Sequence, residues 1–215
     1  MAAVETSDPV RQKIMDAAGE IFAEEGFQSA TVREICSRAG VNVAAINYYF
    51  GDKAALYVEV LRFSTCVAHE EIVRAAERPG AAPEETLREI IRSMCRKMLP
   101  SERPSWAFRL MAHEMARPTP ALDQVVREVI APSYLRLRNT VGAMLSLPAD
   151  HETTRMCAHS IMSQVIHYVT GRPVISRLWP ELQMTREQVE KLADHIATFS
   201  ICSIQELAKN AHTNS

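Results

Sequence analysis

Residues 31–53 read TVREICSRAGVNVAAINYYFGDK, and this stretch decides the fold. Thr31 stands where a side-chain hydroxyl can cap a helix, and Glu34 three residues later completes a capping box. Val32, Ile35, Cys36 and Ala39 then share one face at helical spacing. Gly40 stops this helix, and Asn42 can cap a second one over Val43 to Tyr49. Two helices of about eight residues joined by a turn of about three predict a helix-turn-helix.

Working outward, Asp8-Pro9 opens an earlier helix, because Asp accepts from free helix N–H groups and Pro is tolerated at the first position. Val10, Ile14, Ala17, Ala18, Ile21 and Phe22 give that helix one apolar face, and Gly26 ends it. Downstream, Asp52 caps a segment from Lys53 to Arg78 that contains neither Gly nor Pro, long enough to be a strut between two lobes. Pro- or Gly-centred breaks follow at 79–83, 100–104, 118–120, 148, 171–173 and 180. Between them the pattern predicts helices near 84–99, 105–116, 120–146, 150–170 and 185–209, with a short one near 173–179. Pro132 should kink the 120–146 helix. The fold class is therefore all-α: a three-helix N-terminal helix-turn-helix domain joined by a long fourth helix to a helical-bundle ligand and dimerisation domain. The division is drawn at 1–62 and 63–215.

The chain has 215 residues, 47% of them hydrophobic and 23% charged, which is ordinary for a soluble protein. No apolar run reaches the ~18 residues of a membrane span, and Met1 to Asp8 lacks the form of a signal peptide, so a cytoplasmic protein is expected. Cys36, Cys66, Cys95, Cys157 and Cys202 are odd in number and spread out, which suits reduced core thiols. No metal-ligand spacing appears among the cysteines and histidines, and no cofactor is expected. The net charge is −2, and the first 64 residues hold six Lys/Arg against nine Asp/Glu. Any DNA contact there must rest on local positive charge with the acidic residues turned away.

Across residues 10–60 the chain resembles the TetR/AcrR family. The motifs that carry the likeness are Ala17-Ala18 to Phe22, Gly26-Phe27, Ala30 to Ile35, Ala39-Gly40-Val41 and Ile46 to Leu56. The resemblance implies a repressor that binds a double-stranded, near-palindromic operator as a homodimer and is released by a small-molecule inducer. It places Asn42, Val43, Ala44, Ala45, Asn47 and Tyr48 toward the groove, where Asn47 can pair with adenine and the small apolar side chains can touch thymine methyls. Tyr48, Tyr49 and Lys53 match phosphate-contacting positions, and Thr31 and Arg33 reach phosphate or a base edge from the preceding helix. The chain departs from the family where Val43-Ala44 replaces a basic or polar residue followed by glycine, and where Asn47 replaces a common Tyr.

In the C-terminal part, Val189, Leu192, Ile196, Phe199, Ser203 and Leu207 recur near heptad spacing, with Ala193, Ala197, Ile201, Ile204 and Ala208 as a second flank. Two apolar flanks predict pairing with the 150–170 helix, through Ile161 and Val165, and with the same helices of a second subunit. Met94, Met98, Trp106, Phe108, Met111 and Met115 suit an adaptable cavity and equally an ordinary core. The stretches His113 to Leu122 and Ser160 to Tyr168 are similar to the CecR-type C-terminal domain. With the family's usual inducer site in mind, Trp106, Arg109, His113, Glu114, Gln164, His167 and Tyr168 are the pocket candidates. Two other function classes are kept: a DNA-binding regulator without an inducer, and an enzyme. The latter has little to stand on, since His113 and Glu114 as helix neighbours point about 100° apart and no nucleophile elbow or phosphate loop accompanies them.

Overall fold

Side-chain caps at Asp8, Thr31, Asn42, Asp52, Thr119 and His151 mark helix starts. The structure, a computed structural model, describes residues 8–76, 80–99 and 105–213, the side chains of 66–76, 105, 108 and 211–213 excepted. Its helices are α1 (Pro9–Ser29), α2 (Val32–Ala39), α3 (Val43–Phe50), α4 (Lys53–Ala76), α5 (Pro83–Met98), α6 (Ser105–Ala116), α7 (Pro120–Val125), α8 (Ala131–Leu145), α9 (Glu152–Thr170), α10 (Arg172–Leu178) and α11 (Arg186–Thr213). Among the described residues there is no strand, and no helix is long and apolar enough to cross a membrane. The breaks expected at 79 and 100–104 lie outside the described residues, as does the end of the Lys53–Arg78 strut.

The described residues form two compact units. One comprises residues up to 65 together with those from 105 to 127, and the other comprises residues 66–99 and 128 onward. The sequence division at 62 follows chain order, whereas packing brings α6 and α7 into the first unit. The reason is local. Gly19, in the middle of α1, leaves a bare patch of backbone on which the Trp106 ring of α6 lies, so near that a Cβ at position 19 would sit 2.5 Å from it. Trp106 is 4% exposed and stacks on Phe63 of α4 at 6.1 Å. The first unit also buries Ile14, Ala18, Ile21, Phe22, Ile35, Ile46, Leu56, Tyr57 and Leu110.

The second unit packs α5, α8, α9 and α11 about Leu87, Ile90, Ile91, Met94, Leu137, Val141, Ile161, Val165, Val189, Leu192 and Ile196. Arg92 meets Asp194 at 2.8 Å, and Arg96 grips Glu190 through two nitrogens at 2.7 and 2.9 Å, holding that carboxyl below the usual carboxylate range. These half-exposed pairs fix the register of α5 on α11 more than they stabilise it.

Ahead of Pro132 and α8 the backbone makes a π-helical turn, Val126–Ile130. Widening the turn just before a proline makes room for its ring and accommodates the missing N–H. The cysteines divide. Cys36 and Cys95 are buried and Cys157 is half-buried, with burial and then the Glu190 charge pushing the Cys95 thiol up to about 12. Cys202 is exposed, which corrects its assignment to the core: it lies on the outer side of α11. The side chain of Cys66 lies outside the described residues.

Candidate nucleic-acid interface

The sequence of α2 and α3 builds a face in three steps. First, each helix is capped from within. Thr31 Oγ1 accepts from Glu34 N at 3.3 Å while the Glu34 carboxylate accepts from Thr31 N at 3.0 Å and from its hydroxyl at 2.6 Å, and Asn42 Oδ1 accepts from Ala45 N at 3.0 Å. Second, Gly40 adopts φ 68°, ψ 35°, a left-handed conformation that costs glycine little and turns the chain between the helices. Third, Ile46 and Phe50 anchor α3 in the core. The rest of α3 has nowhere to go but outward: Asn42, Val43, Ala44 and Asn47 are exposed, Tyr48 is 82% exposed, and Ala45 and Tyr49 are half-buried.

Positive charge on this face is scarce. Arg33 is exposed at the start of α2 and makes no hydrogen bond or ion pair among the described residues. Arg38 is turned back onto α1, pairing with Glu24 at 3.1 Å and Glu20 at 3.6 Å. Lys53 donates to the carbonyls of Phe27 and Ala30, both at 2.9 Å, and sits 4.6 Å from the centroid of the Phe27 ring. Its ammonium thereby satisfies carbonyls of the turn that follows Gly26, where the backbone leaves helical geometry at φ 77°. Beside the C-terminal end of α3 a cleft of about 380 Å³ is lined by Arg11, Tyr49, Phe50, Glu59, Arg62 and Gln124, among others. Glu59 bridges the two arginines at 2.9 Å each, which leaves the cleft one net positive charge.

Residues 14–60 match the family model described as bacterial regulatory proteins of the tetR family, and residues 83–204, more than half the chain, match the C-terminal domain of the HTH-type transcriptional dual regulator CecR. The chain belongs to the TetR family of transcriptional regulators. Its relatives include CecR of Shigella flexneri, 28% identical over 78% of this chain and 79% of that one, and the regulator AcrR of Shigella flexneri, 30% identical over 67% and 70%. The fold is similar to that of the fatty acid degradation regulator FadR from Bacillus halodurans, with a TM-score of 0.64 over 92% of this chain and 97% of that one at 16% identity. A TetR-family regulator is a DNA-binding protein and not an enzyme.

Within this TetR-family chain the candidate pocket residues are drawn from both compact units. Trp106, Arg109, His113 and Glu114 belong to the first unit, and Gln164, His167 and Tyr168 to the second. Trp106 is taken up by Gly19. Glu114 is 1% exposed, accepts from the Tyr57 hydroxyl, and also accepts from Thr119 N at 2.6 Å and Thr119 Oγ1 at 2.8 Å. Arg109 and His113 are exposed, so the adjacent His113 and Glu114 do point apart. Gln164 donates to Ser200 Oγ at 3.2 Å, tying α9 to α11, while the Tyr168 ring packs on the core. His167 is exposed. Of the methionines and aromatics grouped with them, Met94 is core and Met115 is exposed, and the side chain of Phe108 lies outside the described residues.

The stripe proposed to meet a second subunit also divides. Ile161, Val165, Val189, Leu192 and Ile196 are buried in the chain's own core, whereas Phe199 is 59% exposed, Leu207 43% and Ser203 exposed too. Sequence reasoning missed Asp8 as more than a cap: its second oxygen accepts from the Tyr49 hydroxyl at 2.5 Å, across 41 residues of chain. No pattern in the sequence announces that contact.

Proposed function

We propose that this TetR-family regulator is a repressor that reads a near-palindromic operator as a homodimer and lets go of it when a small molecule binds. In this reading the chain divides by task near residue 62, with DNA contact before it and ligand binding and dimerisation after it. The observation that carries it is the outward face of α3, where Asn42, Val43, Ala44, Asn47 and Tyr48 stand clear of the core on a helix anchored by Ile46 and Phe50. A short, rigidly capped helix with small and amide side chains outward fits a major groove. Repression is the simplest consequence of a dimer lying across about one turn of promoter DNA. Release by a ligand requires that the ligand prefer the form that does not bind DNA.

Binding to DNA from around the protein's own gene tests this reading. Asn47→Ala is expected to weaken binding to the selected site by about 1–3 kcal/mol while leaving non-specific affinity nearly unchanged, as for loss of a base contact. Arg33→Ala should weaken all sequences alike and lower the salt slope by about one contact. Both variants indistinguishable from wild type would sink the reading.

The dimer is carried by the apolar flank of α11 that the core leaves uncovered, Phe199 with Leu207, and by Met156 on α9. Phe199→Glu is expected to shift sedimentation from dimer to monomer, because a charge buried without a partner costs several kcal/mol. An unchanged dimer would place the contact elsewhere. A second reading, a regulator without an inducer, is favoured by one observation: Trp106 and Glu114 are engaged in packing and hydrogen bonds inside the first unit. A screen in which no small molecule alters operator affinity would select it.

A further inference from the structure

The contact between Asp8 and Tyr49 joins the start of α1 to the end of α3, and nothing in the core requires it. Asp8 is exposed and Tyr49 is half-buried. Asp8 Oδ1 accepts from Val10 N at 2.9 Å and so is fixed as the cap of α1, which leaves Oδ2 aimed at the Tyr49 hydroxyl at 2.5 Å. The Tyr49 ring is steadied on its other side by an edge-on contact with Tyr48 at 4.9 Å. The hydrogen bond holds the Asp8 carboxyl below its ordinary range and the Tyr49 phenol above its own, so at neutral pH the pair is a carboxylate facing a neutral phenol.

A phenol has one hydrogen to donate. While Asp8 holds it, Tyr49 has none for a second anion, and an approaching phosphate also meets the carboxylate charge. We propose that Asp8 restrains DNA binding by holding the hydroxyl hydrogen of Tyr49 that a backbone phosphate would otherwise accept. The inference rests on α3 being the recognition helix, which sets its C-terminal end beside the DNA backbone. The surroundings hold one net positive charge, since Arg11, one turn along α1, and Arg62 share the single carboxylate of Glu59, and the Asp8 charge cancels it. The edge of the face around Tyr49 is therefore close to neutral, and Asp8 sets how it meets a polyanion.

Aspartate to asparagine is the informative change, because the amide keeps its cap and reverses its other bond. In D8N the side-chain oxygen still accepts from Val10 N, while the NH2 group donates to the Tyr49 oxygen and releases the phenol hydrogen outward. The probe is a labelled duplex of mixed sequence, about 40 base pairs long, because phosphate contacts do not depend on sequence. D8N is expected to bind it about three- to tenfold tighter than wild type, as one charge-assisted hydrogen bond gained. In a Y49F background the same change should keep only the part that comes from removing the carboxylate charge, a gain of about twofold or less.

A gain of equal size with and without the hydroxyl would overturn the proposal in favour of simple charge removal. So would D8N binding no tighter than wild type in a protein whose melting curve is unchanged. Should D8N melt early, D8S, which also caps a helix but cannot reach Tyr49, takes its place with the same expected gain and the same overturning result. Wild-type protein that fails to bind the duplex at all removes the recognition-helix reading along with this one, whereas binding without the D8N gain removes this one alone.

Discussion

Gly19→Ala is expected to lower the thermal unfolding midpoint of the protein, and the same substitution added to Trp106→Ala is expected to raise it relative to Trp106→Ala alone. The sign change follows from one contact. A Cβ at position 19 would lie 2.5 to 2.6 Å from three carbons of the Trp106 ring, well inside van der Waals contact. The ring is 4% exposed and stacked on Phe63, so it cannot give way by rotating into solvent. Forcing a methyl into such a site costs about 1–3 kcal/mol, against a helix-propensity gain of about 1 kcal/mol for replacing an interior glycine by alanine. The balance is a loss, read as a midpoint a few degrees lower at ~2–4 °C per kcal/mol for a chain of this size. Trp106→Ala removes the largest side chain at the α1–α6 contact and should itself cost about 3–5 kcal/mol. With the indole gone the methyl has room, and only the propensity gain remains. Circular dichroism melts of the four proteins decide the matter; additive effects of the two substitutions would mean that the indole does not rest on Gly19.

The same residue shows where sequence reasoning ran short. The first four helices were legible because their ends are written in single residues with a local job: Asp8, the Thr31 and Glu34 pair, Gly40, Asn42 and Asp52 cap or stop helices within three positions of themselves. The outward set on α3 was legible for the same reason, since Ile46 and Phe50 fix which side is inside. A contact over long chain distance has no such signature. Gly19 sits among Ala17, Ala18 and Ile21 as one more small residue, and only the folded chain shows that Trp106, far along the sequence, needs it bare. Lys53 has the position of a phosphate ligand in the family pattern, and no local pattern announces that its ammonium also donates to carbonyls at the end of α1. On α11 two apolar flanks were visible, but periodicity does not say which flank the chain's own core will take. That core took Val189, Leu192 and Ile196 and left Phe199 and Leu207 outside.

Glu114→Leu is the other substitution expected to do large damage, and it bears on how α4, α6 and α7 are held together in the first unit. The Glu114 carboxylate lies in a buried site and accepts three hydrogen bonds, from the Tyr57 hydroxyl on α4 and from the amide and hydroxyl of Thr119, which caps α7. An apolar side chain of similar size would leave the Tyr57 hydroxyl and the Thr119 amide without an acceptor, at about 1–3 kcal/mol for each orphaned group, so a total of roughly 3 kcal/mol or more is expected. Glu114→Gln should cost less, since the amide keeps one acceptor oxygen and can donate to Tyr57. The alkaline limb of the stability curve separates this network from simple packing. Burial first, then the bond to Glu114 and its charge, drive the Tyr57 phenol well above its ordinary value. A group raised on folding contributes its full stabilisation below the unfolded pKa of about 10 and loses it as the pH climbs through the folded value, because only the unfolded chain ionises in between. Urea unfolding of the wild type should therefore weaken as pH rises past about 10, and Tyr57→Phe, already weaker at neutral pH, should lack that part of the decline. Glu114→Gln should show a shallower alkaline loss than wild type, since removing the neighbouring charge relieves part of what holds the phenol un-ionised. Parallel alkaline limbs in all three proteins would show that the phenol and the carboxylate do not share the proton as the geometry places it.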